Sequence, residues 1–153
     1  MMTNAPSIEA VLEAFFADVA VGRGAGTRVR YWRVYIQLNR YLESDDAGRL
    51  LGTDYNRLLA AEREFRPDRA LARLFSAEGL VLCLSGFVDD AWLLPAPVDA
   101  RSQISLTDRL LRWVQGRHLI DMSSCSCAVY ECEEAIRRAR KILRSQVEPP
   151  RLL

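Results

Sequence analysis

The chain has 153 residues, half of them hydrophobic, with 21 basic and 20 acidic side chains and a formal net charge of +1. That length supports one core, or one core with an appended piece, and argues against two full domains. The near-neutral balance excludes a histone-like polycation and the hydrophobic content excludes an acidic disordered chain, so charge can matter only where it is locally segregated.

Pro6 and Ser7 precede Ile8, Val11, Leu12, Phe15, Phe16 and Val19, a spacing of three and four that predicts an amphipathic helix starting at Ser7. Gly22, Gly24 and Gly26 end it, and Thr27 offers an N-cap for a second helix to about Leu42. The short connection makes the two a helical hairpin. Ser44 to Gly52 predicts a short helical turn, and Thr53 caps a stretch to about Phe65 with Tyr55, Leu58, Leu59 and Ala61 as its apolar positions. Arg66-Pro67 interrupts it. Pro67 suits the first turn of a further helix through Ala77, with Leu71, Leu74 and Phe75 inward and Arg66, Arg69 and Arg73 outward.

The apolar run within residues 80–88 fits either a buried strand or a buried helix, and we take it as helix because a lone strand would have no partner. Pro95 and Pro97 mark a boundary, followed by a polar linker to about Ser105. Two helices then close the chain, Thr107 to Gln115, stopped by Gly116, and about Ser124 to Ser145. The expected class is all-α: a small orthogonal helical bundle over residues 1–98 and a C-terminal helical hairpin over 99–153 packed on it.

No basic segment leads into an apolar one at the start of the sequence, and the longest apolar run, Leu80 to Leu84, is far too short to span a membrane. The expectation is a cytoplasmic protein with reduced thiols. His118, Cys125, Cys127 and Cys132 are zinc-ligand types within fifteen positions. Against a zinc site, Cys125 and Cys132 fall in a stripe with Val129, Ile136, Ala139 and Leu143 that reads as the buried face of the last helix, while Cys127 points away from it. Zinc and a redox role for Cys127 both stay open at this point, but no metal ligand or cofactor site is assigned. His118 has no nucleophile in a motif that would pair with it, so no catalytic residue is assigned either.

The second helix holds the one segregated charge. Projected at about 100° per residue, Arg30, Arg33, Gln37 and Arg40 share a narrow sector, while Val29, Trp32, Tyr35, Ile36, Leu38 and Leu42 wrap around more than half of the circumference. This predicts a central helix with a single solvent-facing strip, extended by Arg23 and Arg28 in the preceding turn. Those five arginines meet no acid within the strip, whereas residues 43–64 hold six acids and three arginines. A basic strip on a neutral protein can bind phosphates, and it can also be neutralised by those acids.

The stretch GRGAGTRVRYWRVYIQLNRYLE resembles the second helix of the core-binding domain of tyrosine recombinases and phage integrases, on Thr27, Tyr31, Tyr35, Leu38 and Tyr41. SIEAVLEAFFADVAVGRG is similar to that family's opening helix, and ALARLFSAEGLVLCLSGFVDDAWLLPAP resembles its later helix with a Leu-Leu-Pro exit, so the likeness runs over residues 7–98. The resemblance implies a SAM-like helical bundle that forms half of a clamp around DNA. It also implies a separate catalytic domain with a His-x-x-Arg motif, and here His118 is followed by Leu119, Ile120 and Asp121. The function expected is therefore noncatalytic binding of duplex DNA through phosphate contacts from Arg23, Arg28, Arg30, Arg33 and Arg40. The alternative is a helical protein-interaction or dimerisation module anchored by Trp92, Trp113 and the last helix, with a protein partner or second copy and no nucleic acid.

Overall fold

The structure, a computed structural model, describes residues 5–147, and among these it is all-α. Eight helices follow in order: α1 (Ile8–Ala20), α2 (Ala25–Leu42), α3 (Asp45–Arg49), α4 (Thr53–Phe65), α5 (Ala70–Leu74), α6 (Ala77–Phe87), α7 (Pro97–Gly116) and α8 (Met122–Val147). The Ser7 hydroxyl accepts from the Ala10 N–H at 3.2 Å, which caps α1 and starts the buried stripe Ile8, Val11, Leu12, Phe15 and Val19. The Ile8 N–H donates to the Phe75 carbonyl at 2.8 Å, in an isolated antiparallel bridge between Ser7 and Ser76. No helix among the described residues is long and apolar enough to cross a membrane.

Residues 77–87 form the helix chosen over a strand, and α6 runs through the middle of the bundle with Leu80, Val81, Cys83, Leu84 and Phe87 buried. Tyr41 of α2 crosses it fully buried, its hydroxyl donating to the Cys83 carbonyl at 2.5 Å. Gly86 is required for that crossing, because a Cβ there would fall on the Tyr41 hydroxyl. The rings of Phe87 and Trp92 pack on Tyr41 with centroids at 5.5 and 5.2 Å. Burial pushes the Tyr41 phenol well above its ordinary pKa, so it stays a donor.

Several boundaries differ from expectation. The second helix begins at Ala25 with Gly24 as its N-cap, rather than at Thr27. The helix expected from Pro67 through Ala77 shrinks to five residues, because Arg69 sits at φ 52 in the left-handed region and breaks the chain before Ala70. Arg69 and Arg73 are also structural cations rather than purely outward ones. Arg69 joins Glu9 at 2.9 Å and the Asn39 side-chain carbonyl at 3.0 Å, tying α5 to α1 and α2. Arg73 reaches Glu62 at 2.9 Å and the Asp68 and Arg66 carbonyls at 2.8 and 2.7 Å, closing the α4–α5 connection. In α4 only Leu59 is buried, and Leu58 and Ala61, expected inward, are exposed; Leu74 of α5 is exposed as well.

The polar linker expected to Ser105 is instead the first half of α7, with Pro97 in its first turn. Ala100, Gln103, Ile104, Thr107, Leu110, Leu111 and Val114 make one buried helical stripe. Its two polar members are satisfied. Gln103 donates to the Phe87 and Trp92 carbonyls, both at 3.0 Å, and accepts from the Leu94 N–H at 2.9 Å; the Thr107 hydroxyl donates to the Gln103 carbonyl at 2.7 Å. Among the described residues no buried side-chain nitrogen or oxygen lacks a partner.

The end of α7 closes with Leu119 N–H on the Val114 carbonyl and His118 N–H on the Gln115 carbonyl, both at 3.0 Å, the Schellman arrangement. Its left-handed position, which usually takes glycine, is His118 at φ 57, two residues after Gly116. Asp121 then begins α8: its carboxylate accepts from the Ser123 hydroxyl and N–H at 2.8 and 3.0 Å, and these bonds hold its pKa below the ordinary value. Helix α8 packs on α6 and α7, and the buried residues of all these elements belong to one core. Cys125 and Cys132 lie on its buried side as expected, with Cys127 exposed. Burial pushes the Cys83 and Cys132 thiols up to about 12 and raises that of Cys125.

Three measurements test this packing. Gln103→Leu strands the Leu94 N–H and the Phe87 carbonyl, and is expected to cost roughly 2–4 kcal/mol in urea denaturation. His118→Gly relieves the left-handed penalty and is expected to stabilise by about 1 kcal/mol, with a matching rise in thermal midpoint. Only thiolates react with disulfide reagents. At mildly alkaline pH the native protein is therefore expected to show one fast thiol, abolished in Cys127→Ser, and three that react only after unfolding.

Candidate nucleic-acid interface

Helix α2 is held edge-on rather than enclosed. It buries Val34, Leu38, Tyr41 and Leu42, with Tyr31 and Tyr35 half-buried beside them, against α1, α7 and the centre of the bundle. The expectation of a central helix open only along its arginine strip is corrected: Val29, Trp32 and Ile36 are 49, 59 and 41% exposed. The solvent face of α2 is therefore mixed, apolar at its centre and basic on either side of it, with Arg28 toward α1 and Arg33 and Arg40 on the side of Asp99.

The arginines of the strip occupy different settings. Arg23, Arg28, Arg33 and Arg40 are exposed and Arg30 is half-buried. Gln37, expected to lie in the same solvent-facing sector, instead donates its amide to the Trp92 carbonyl at 2.8 Å, which turns that side of the helix toward the segment leading into α7. Arg33 follows it there and pairs with Asp99 at 3.4 Å, its own side chain still 54% exposed. Among the described residues the other four make no ion pair. Of the six acids of residues 43–64, which could have neutralised the strip, three are engaged elsewhere. Asp46 holds Arg49 and accepts from the Trp92 indole, Glu62 holds Arg73, and Glu43 accepts from the Arg69 N–H.

An exposed guanidinium on a helix interior can meet a phosphate oxygen with its fork of donors at little desolvation cost. Arg33 and Arg40 stand two turns apart on one side of α2, with Arg28 more than a turn before Arg33 and Arg23 beyond the helix start. Arg33 and Arg40 thus share one side, Arg28 lies about 140° round the helix on the side facing α1, and the helix Ala25–Leu42 contains no acid between them.

The groups proposed for protein docking are less available than their sequence suggested. Trp92 and Trp113 are half-buried rather than exposed, and both indoles donate to carboxylates: Trp92 to Asp46 at 2.8 Å and Trp113 to Asp18 at 3.1 Å. The Arg117 guanidinium lies 4.3 Å over the Trp113 ring. Trp32 is the tryptophan left open, stacked on Tyr35 with ring centroids 5.4 Å apart. Sequence reasoning put it in the core. The signal that could have found it is its place one turn from Val29 and Ile36, directly opposite the Val34–Leu38–Tyr41 stripe.

A second basic cluster joins α7 and α8, where Asp108 takes both Arg112 and Arg140 at 3.2 and 3.1 Å and Arg137 pairs with Glu134. Arg112 and Arg137 are paired within their own helices and Arg140 across to α7, so these three cations are engaged in holding α7 and α8. Among the described residues no three His, Cys, Asp or Glu side chains stand together in a way that could hold a metal ion. Comparison with protein-family models, with curated proteins and with solved structures finds no match to this chain.

Proposed function

We propose that the protein binds duplex DNA through the arginines of α2 and the turn before it and carries out no chemistry on it. The observation that supports this is the setting of Arg23, Arg28, Arg30 and Arg40: none is neutralised by a described acid, although the chain as a whole has nearly as many acids as bases. Arg33 joins them when the DNA competes with Asp99. Contacts of this kind read the phosphate backbone and position the protein, so sequence preference is weak. The resemblance of residues 7–98 to the core-binding domain of tyrosine recombinases agrees with such a surface and adds the expectation that the bundle covers one side of the duplex.

A second reading is supported by Val29, Trp32 and Ile36, whose exposure on one face suits a protein partner or a second copy of the chain. It expects self-association and no salt-dependent affinity for nucleic acid.

A DNA titration at several salt concentrations separates the two. Three to five phosphate contacts predict a slope of log affinity against log salt of about −3 to −4. Arg28→Ala with Arg40→Ala is expected to weaken binding and flatten that slope by about 2. Asp99→Asn, by releasing Arg33, is expected to tighten binding and steepen the slope. An unchanged slope in the double variant would remove the α2 surface from the account.

A further inference from the structure

Between α1 and α2 lies a groove of about 310 Å³ that the duplex reading leaves unused. Phe16, Tyr31, Trp32 and Tyr35 line it, and Arg28 and Glu13 complete its walls. Its size is at the low end of small-molecule sites, large enough for one flat ring system. Phe16 meets Tyr35 edge-on at 5.0 Å, and Tyr35 supports Trp32 in a near-parallel stack at 28°. Trp32 is thus held on one side by Tyr35, while 59% of its surface remains open.

An aromatic platform flanked by unneutralised arginines is the combination that binds single-stranded nucleic acid: every base has a π-face, and the backbone follows the cations. A purely apolar protein ligand would have no use for Arg28 in the groove wall, and an inorganic anion would have none for four aromatic rings. Glu13 is the one acid in the lining, so repulsion keeps phosphate off the α1 side and directs the backbone toward Arg28 and the arginines of α2.

We infer that this groove takes an unpaired nucleobase, stacked on the open face of Trp32, with the adjoining phosphates held by Arg28 and its neighbours on α2. This rests on the proposed phosphate-binding role of α2 and sharpens it: the preferred ligand is DNA carrying an unpaired segment rather than a blunt duplex.

The test uses one labelled oligonucleotide of mixed sequence, offered as a single strand and as a blunt duplex, with wild-type protein, Trp32→Ala and Trp32→Phe. Trp32→Ala is expected to weaken single-strand binding about tenfold while duplex binding stays unchanged, and Trp32→Phe to retain most of the affinity. In addition, the single strand is expected to quench indole emission in wild type and to leave that of Trp32→Phe unaffected. Trp32 is exposed, so both variants are expected to fold, with unchanged thermal midpoints as the check. If Trp32→Ala leaves single-strand affinity intact while Arg28→Ala with Arg40→Ala still weakens the duplex, stacking is overturned and the duplex reading stands. If neither probe binds, or if Trp32→Ala abolishes only self-association, both are overturned.

Discussion

The carbonyl of Trp92 accepts from Gln37 of α2 and from Gln103 of α7, at 2.8 and 3.0 Å. Residues 88–96 form no long helix, and the backbone groups that their own turns leave open need partners from outside the segment. Gln103 gives two such bonds from a fully buried position and a third to the Phe87 carbonyl at the end of α6, and Gln37 adds one more to the segment from the opposite helix. The node fixes the rotation of α2 about its own axis. With Gln37 turned inward, Tyr41 faces α6, Arg33 reaches Asp99, and Val29, Trp32 and Ile36 are left on the outside. Fold and candidate surface therefore depend on the same pair of amides.

The elements built on apolar periodicity were readable in the sequence. Helices α1 and α2 and the cysteine stripe of α8 follow spacings of three and four, and the buried residues are those expected for α8 and, apart from the half-buried Phe16, for α1. The first half of α7 was hidden because two positions of its inward stripe are Gln103 and Thr107, buried for their hydrogen bonds rather than for apolar area. The shortening of α5 was hidden for a related reason: a left-handed arginine held by Glu9 and Asn39 is a tertiary decision, invisible to local propensity. In both places polar groups specify the structure, and pattern reasoning weighs polar groups as surface.

The candidate surface was legible in its charges and not in its apolar part. The position of each arginine on α2 follows from sequence alone, as does the absence of acids among them. Which large side chains remain outside does not. Helix α2 is apolar around more than half its circumference, and the bundle covers only one side of it, so some of those side chains had to be left open. Packing against α1 and α7 decides that these are Val29, Trp32 and Ile36. The open apolar face and the aromatic groove are then two consequences of one helix having more apolar surface than neighbours.

All the cations of α2 and of the turn before it are arginines, and the chain has a single lysine, Lys141, far along α8. A guanidinium stays protonated at any pH a cell reaches, and it lacks the amine that acetyl or ubiquitin transfer requires. Whatever meets α2 therefore encounters a fixed positive field that neither proton concentration nor lysine modification can turn down. The adjustable elements are the surrounding ions and the competing carboxylate of Asp99, which places any control of this surface in its environment rather than in its own chemistry.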